Sequence, residues 1–250
     1  MKRTSVLLLV ILHAVFALHA IIIIRHDVDD AKYKALGNKY TDVLSHFPMG
    51  EGTLIDSSWV ITAGHIGRDL SRDLENGYSP TAVIDDKEYR IEKIFVHPQF
   101  KPIVNDIALV KLQKKIASNR YARVNSDRDE VGQAITIVGR GDVGTGLTGP
   151  QKWDKVTRGA TNIIDGADSS WIWFAFDAPD SPKTTDLEGI SGPGDSGGPA
   201  LVERDGTLHL LGISSHQLGE GKKKGTYGVT EYYSRVSSYY GWIAETMRKN

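Results

Sequence analysis

The stretch Gly194-Asp195-Ser196-Gly197-Gly198-Pro199 restricts this chain more than any other. Three glycines around one serine allow a strained, tight backbone and a close approach by another segment. A serine hydroxyl that must stand free beside a substrate carbonyl needs such a loop. In this turn the amides of Gly194 and Ser196 can aim at one point, where a tetrahedral oxyanion would form. A glycine-rich loop alone is ordinary turn chemistry, so the rest of the chain decides its meaning. Thr62-Ala63-Gly64-His65 lies upstream, and Asn105-Asp106-Ile107-Ala108-Leu109-Val110-Lys111-Leu112 lies between. Histidine, aspartate and serine therefore follow one another in one of three recurring orders for a base, its orienting carboxylate and a nucleophile. His65 is one of 8 histidines, and its place after Thr-Ala-Gly sets it apart from His97, His209 and His216. An aspartate leading into the apolar run Ile107 to Leu112 is expected to be partly buried, and an imidazole N–H is the kind of partner it needs.

With Val96-His97-Pro98-Gln99-Phe100, Gly212-Ile213-Ser214-Ser215, Tyr233-Ser234-Arg235-Val236 and Trp242-Ile243, these motifs resemble the trypsin-like (chymotrypsin-fold) serine proteases. The likeness runs from about Gly50 to the C-terminus. It implies an all-β fold of two six-stranded antiparallel β-barrels with a C-terminal helix. It implies a serine endopeptidase acting on peptide or protein substrates through an acyl-enzyme. Ser196 would be the nucleophile, His65 the base and later the acid, and Asp106 the group that holds the imidazole tautomer. The Gly194 and Ser196 amides would form the oxyanion hole. Ser215 would support Asp106, and Asp195 would pair with a freed N-terminal amine. Two other function classes stay open. A non-catalytic binding protein on this scaffold usually lacks a triad member, and none is lacking here. An esterase would use the same machinery.

The resemblance also places a substrate pocket. Ile190 stands at its floor, where an aspartate would go with cleavage after Lys or Arg. His216 and Gln217 stand where the family usually has tryptophan and glycine, and Glu231 falls on the pocket wall. Either Glu231 pairs a basic side chain from an unusual direction, or Ile190 and Gln217 make a narrow apolar pocket. The cost of an unpaired carboxylate in apolar surroundings tilts the expectation towards a basic or mixed preference.

There is no cysteine. Most animal members of that family carry disulfides, one of them beside the catalytic histidine, where this chain has Ile66. The core must hold the fold unaided, and thiolate metal sites and cysteine nucleophiles are excluded. Lys2 and Arg3, the apolar run Val6 to Leu12 and the small residues up to Ala20 predict a secretory signal over 1–20, with a mature domain over 21–250. Cleavage after Ala17 competes. His13 and His19 interrupt the apolar run and are costly in a spanning helix. The expected location is secreted or periplasmic, without stable membrane association after cleavage. A cut after Ala20 would put a new amine on Ile21, within potential reach of Asp195. The net charge of -1 argues against a nucleic-acid partner. No cofactor is expected, and no metal. The acidic turns Asp165-Gly166-Ala167-Asp168 and Asp177-Ala178-Pro179-Asp180 lack the regular oxygen spacing of a calcium loop.

Short apolar runs between turn residues predict strands. They fall at 59–62, 81–84, 89–96, 107–112, 134–138, 171–176, 200–202 and 208–213. The polar stretch 113–133 is expected to divide the two barrels. Tyr240, Ile243, Ala244 and Met247 recur at helical spacing, so residues 237–249 are expected to close the chain as a helix.

Overall fold

A computed structural model describes residues 22–118 and 120–250. The expected signal segment and the Ile21 amine lie outside the described residues. The first described strand is β1 (Ile23–Ile24), whose isoleucines are buried. Helix α1 (Asp30–Gly37) follows, with the Asp29 carboxylate capping it through Ala31 N. Such a cap satisfies one of the free amides at a helix start.

Six strands then close a barrel. They are β2 (Leu44–Phe47), β3 (Gly50–Asp56), β4 (Trp59–Thr62), β5 (Thr81–Ile84), β6 (Lys87–Val96) and β7 (Ala108–Leu112). Their order around the barrel is β2-β3-β4-β7-β6-β5. Leu54, Val60, Ile61, Leu109 and Val110 fill it and are fully buried. Between β4 and β5 lies α2 (Gly64–Glu75), which strand-oriented pattern reading passes over. Its signal is nonetheless present. Ile66 and Leu70 recur four residues apart and are buried, while the intervening charges face outward.

The second half contains β8 (Arg123–Val124), β9 (Ala134–Gly139), β10 (Asp142–Thr145), β11 (Gly149–Trp153), β12 (Arg158–Ile163), β13 (Gly166–Ala167), β14 (Trp171–Ala175), β15 (Gly189–Ile190), β16 (Pro199–Arg204), β17 (Thr207–Leu218) and β18 (Thr230–Arg235). Its main sheet runs β12-β9-β16-β17-β18-β14-β13, with β8 beside β17. A smaller sheet runs β11-β10-β1-β15. The fold is thus mostly β, with one closed six-strand barrel, a half-barrel and a C-terminal helix. The second half departs from a closed six-strand ladder because β10 and β15 pair with β1 and not with the main sheet. Two pairings, β1 with β10 and β8 with β17, are parallel.

Helix α3 (Val236–Lys249) closes the chain and buries Tyr239 and Ile243 in a core shared with the first barrel. No disulfide crosses these halves, and buried ion pairs tie distant segments instead. The Arg158 guanidinium, 1% exposed, donates to both Asp30 and Asp154 and fixes α1 against β12. Arg235 donates to the buried Glu130. The two acidic turns are used by protein donors. In the first, Asp168 accepts from Ser170 N and Trp171 N, and Asp165 from Ala175 N and Lys183; in the second, Asp177 accepts from the Ser181 hydroxyl. Among the described residues no three His, Asp or Glu side chains are grouped to hold a metal ion. No helix among them is long and apolar enough to cross a membrane.

Candidate active site

The antiparallel register of β4 and β7 pairs Thr62 with Ala108. Continuing that register beyond Thr62 and before Ala108 brings the Ala63-Gly64-His65 turn alongside Asp106. His65 sits in the first turn of α2, where its free amide donates to Asp106 Oδ1 at 2.8 Å. Its Nδ1 lies 2.9 Å from Asp106 Oδ2. The Ser215 hydroxyl donates to the same oxygen at 2.6 Å. Ser234 Oγ donates to the Asp106 carbonyl at 2.7 Å. Asp106 therefore comes from the first barrel but is held by β17 and β18 of the second half. It is 2% exposed. Burial alone would raise its pKa, but the hydrogen bond and charge of His65, with the Ser215 hydroxyl, hold it below the usual carboxylate range. An imidazole whose Nδ1 is bound to a carboxylate presents Nε2 as the free acceptor.

Ser196 lies on the loop between β15 and β16. Its carbonyl accepts from Glu51 N at 2.8 Å, Gly197 N donates to Ser214 O at 2.8 Å, and Ser214 N donates to Gly198 O at 2.8 Å. The loop is thus stitched to β3 on one side and to β17 on the other. The Gly197 φ is +89°, and a Cβ there would lie 2.2 Å from both Glu51 O and Thr62 Oγ1. Gly197→Ala is expected to lose more than about 1 kcal/mol of stability, since both strain and a backbone clash oppose it. Urea unfolding measures this, and an unchanged midpoint counts against the close packing of loop and β4.

The Ser196 hydroxyl makes no hydrogen bond to His65 in this structure. A looser contact between nucleophile and base is common where no substrate is bound. Among the described residues, neither the Gly194 nor the Ser196 amide donates to a protein acceptor. Gly194 has φ +88°. Asp195 is 1% exposed and accepts from Gly192 N at 2.8 Å and Gly141 N at 3.1 Å. Burial pushes its carboxyl well above the usual range, and the amide of Gly192 partly offsets this. Arg25 and His26, next along the chain from β1, are engaged away from Asp195. Arg25 binds Asp27 and the Thr185 carbonyl, and His26 binds the Tyr227 hydroxyl.

Beside Ser196 opens a cavity of about 110 Å³, lined by Gly192, Pro193, Ser214, His216, Gln217, Lys224 and Glu231 among others. Glu231 and Gln217 face one another across β17 and β18, where they are register partners. Gln217 Nε2 donates to Glu231 Oε2 at 2.7 Å and to the Ser191 carbonyl at 2.5 Å. Gln217 Oε1 accepts from Gly225 N at 3.0 Å. Glu231 is 1% exposed, and burial pushes its carboxyl up to about 8. Its other oxygen accepts from Ser214 Oγ at 3.3 Å. His216 stacks on Tyr232 at 5.1 Å and meets Trp171 edge-on at 5.0 Å. Ile190, expected at the pocket floor, pairs with Ile23 in the small sheet and packs in the second core, away from the lining. Lys224 was not singled out in the sequence, because in Lys222-Lys223-Lys224 it resembles a solvated run. His46 and Glu51, which lie behind the nucleophile loop, carried no motif at all.

A family model described as Trypsin matches residues 39–243. The chain is also similar to proproteinase E of Bos taurus, with 29% identity over 217 residues, covering 80% of this chain and 83% of the relative.

Proposed function

We propose that this chain, which belongs to the trypsin family of serine proteases, cleaves peptide bonds through Ser196, His65 and Asp106. It is a serine endopeptidase, and its substrates are peptides or proteins. One observation supports the residue assignment above the rest. The buried Asp106 carboxylate takes both the amide and the Nδ1 of His65, together with the Ser215 hydroxyl. In the proposed mechanism, Ser196 Oγ adds to the scissile carbonyl carbon while its proton passes to His65 Nε2. Asp106 stabilises the resulting imidazolium. The carbonyl oxygen gathers negative charge against the Gly194 and Ser196 amides. The C–N bond then breaks, and the amine leaves with the proton from His65. Water repeats the sequence on the acyl-enzyme and releases the acid. A fluorophosphonate probe tests the nucleophile. Labelling at Ser196 supports the assignment, and an unlabelled, active protein overturns it. Secretion through the 1–20 segment belongs to this proposal, and N-terminal sequencing of exported protein tests it.

The pocket is proposed to prefer basic side chains once Glu231 is ionised. Below about pH 8 its buried carboxyl holds a proton and offers no charge to a substrate ammonium. Above that value it is a carboxylate with a cation-sized demand for a partner, which Lys224 at the rim meets only in part. The rate ratio for cleavage after Lys or Arg against cleavage after Ala is therefore expected to rise between pH 6 and 9. Catalytic steps common to both substrates cancel in the ratio. Glu231→Gln is expected to flatten the ratio. If wild type and variant show the same pH dependence, Glu231 does not determine specificity.

A further inference from the structure

Glu51 is a second carboxylate buried behind the nucleophile loop, and the cleavage chemistry above makes no use of it. It is 4% exposed. Glu51 stands directly opposite His46 in the β2–β3 pairing, so both side chains lie on one face. His46 Nδ1 lies 2.5 Å from Glu51 Oε2. The other carboxylate oxygen accepts from Arg140 N at 3.2 Å. The very next amide, Gly141 N, is taken by Asp195 at 3.1 Å. Two carboxylates from different parts of the fold thus grip consecutive amides of one turn. That turn has no spare room, since a Cβ on Gly139 would lie 2.0 Å from Asp195 Oδ1. The Glu51 backbone ties β3 to the nucleophile loop and to β4. Its N–H donates to the Ser196 carbonyl, and its carbonyl accepts from Thr62 Oγ1 at 2.5 Å.

We propose that Glu51, oriented by His46, is a positioning residue for the nucleophile loop. It holds the Arg140–Gly141 turn and, through it, Asp195, so that the neighbouring Gly194 and Ser196 amides stay aimed at the developing oxyanion. A buried carboxylate without its partner is costly, and the imidazole fixes which rotamer Glu51 keeps. The pair acts before any substrate arrives, because preorganised donors need no rearrangement as charge develops. This inference rests on the assignment of Ser196 and its oxyanion amides.

The test uses the active full enzyme and the variants Glu51→Ala, Glu51→Gln and His46→Asn. The readouts are kcat and KM on a peptide amide, and the affinity of a peptide boronic acid whose tetrahedral adduct places an oxygen on the same amides. Glu51→Ala is expected to lower kcat by about 10- to 100-fold, with KM within about twofold. Boronate affinity falls by the same factor as kcat. Glu51→Gln keeps an oxygen for the Arg140 amide and recovers part of the loss. His46→Asn moves kcat in the same direction as Glu51→Ala. Full kcat in folded Glu51→Ala, a loss confined to KM, or unchanged boronate affinity overturns the proposal. If Glu51→Ala does not fold, full kcat in both other variants overturns it, and a joint fall in kcat and boronate affinity supports it. Ser196→Ala, run alongside, separates the two assignments. Activity surviving in that control refutes the nucleophile, whereas an inactive control beside fully active Glu51 variants refutes only the positioning role.

Discussion

Ser196→Ala is expected to reduce peptide hydrolysis by about 10⁴- to 10⁶-fold. In the proposed mechanism the hydroxyl forms the acyl bond, and no cysteine exists to take its place. Residual rate over water would come from the oxyanion amides and substrate binding alone. Stability should shift by less than about 0.5 kcal/mol, because among the described residues the hydroxyl has no hydrogen-bond partner and the loop is held by backbone contacts. Active-site titration and thermal unfolding on the same preparation check both parts. A folded variant with an unchanged rate would falsify the assignment.

Asp106→Asn is expected to cost about 10⁴-fold in kcat while leaving the site geometry close to intact. The argument is one of donors and acceptors. Asp106 accepts from His65 N, His65 Nδ1 and Ser215 Oγ, so every group facing its carboxylate is a donor. An amide has one acceptor oxygen and an NH₂ that can only donate. Oriented towards His65 Nδ1, that NH₂ forces the imidazole proton onto Nε2. The nitrogen proposed to accept the Ser196 proton is then occupied. Asp106 is ionised down to low pH because His65 and Ser215 hold its pKa below the usual range. Protonation of Asp106 should therefore contribute nothing to a fall in wild-type activity on mild acidification. A kcat within tenfold of wild type, measured on folded Asp106→Asn, removes Asp106 from the mechanism.

Much of the candidate site was legible because its signals are local. The Gly194–Pro199 loop, the Thr62–His65 turn and the Asp106 motif each state their backbone needs within a few residues. The eight apolar runs became strands, with bounds shifted by a few residues at most for all but β17, which runs on to Leu218 as it passes the pocket. Helix α3 was legible from its spacing, and starts at Val236. Helix α2 was not, because its charged face hides a narrow apolar stripe when strands are being sought.

The sequence by itself determined the order of the proposed base, carboxylate and nucleophile, the glycines that let the loop form, and the strand-rich class. Tertiary structure alone decided which side chains face one another. It turned Ile190 into the small sheet beside Ile23, and brought Gln217 across to Glu231. It placed Lys224 at the pocket rim and set His46 and Glu51 behind Ser196. The physical reason is the range of the interactions. A turn or an amphipathic strand is specified by neighbours along the chain. The charge state of a buried carboxylate depends on how much water is removed and which donors arrive, and those come from strands far apart in sequence.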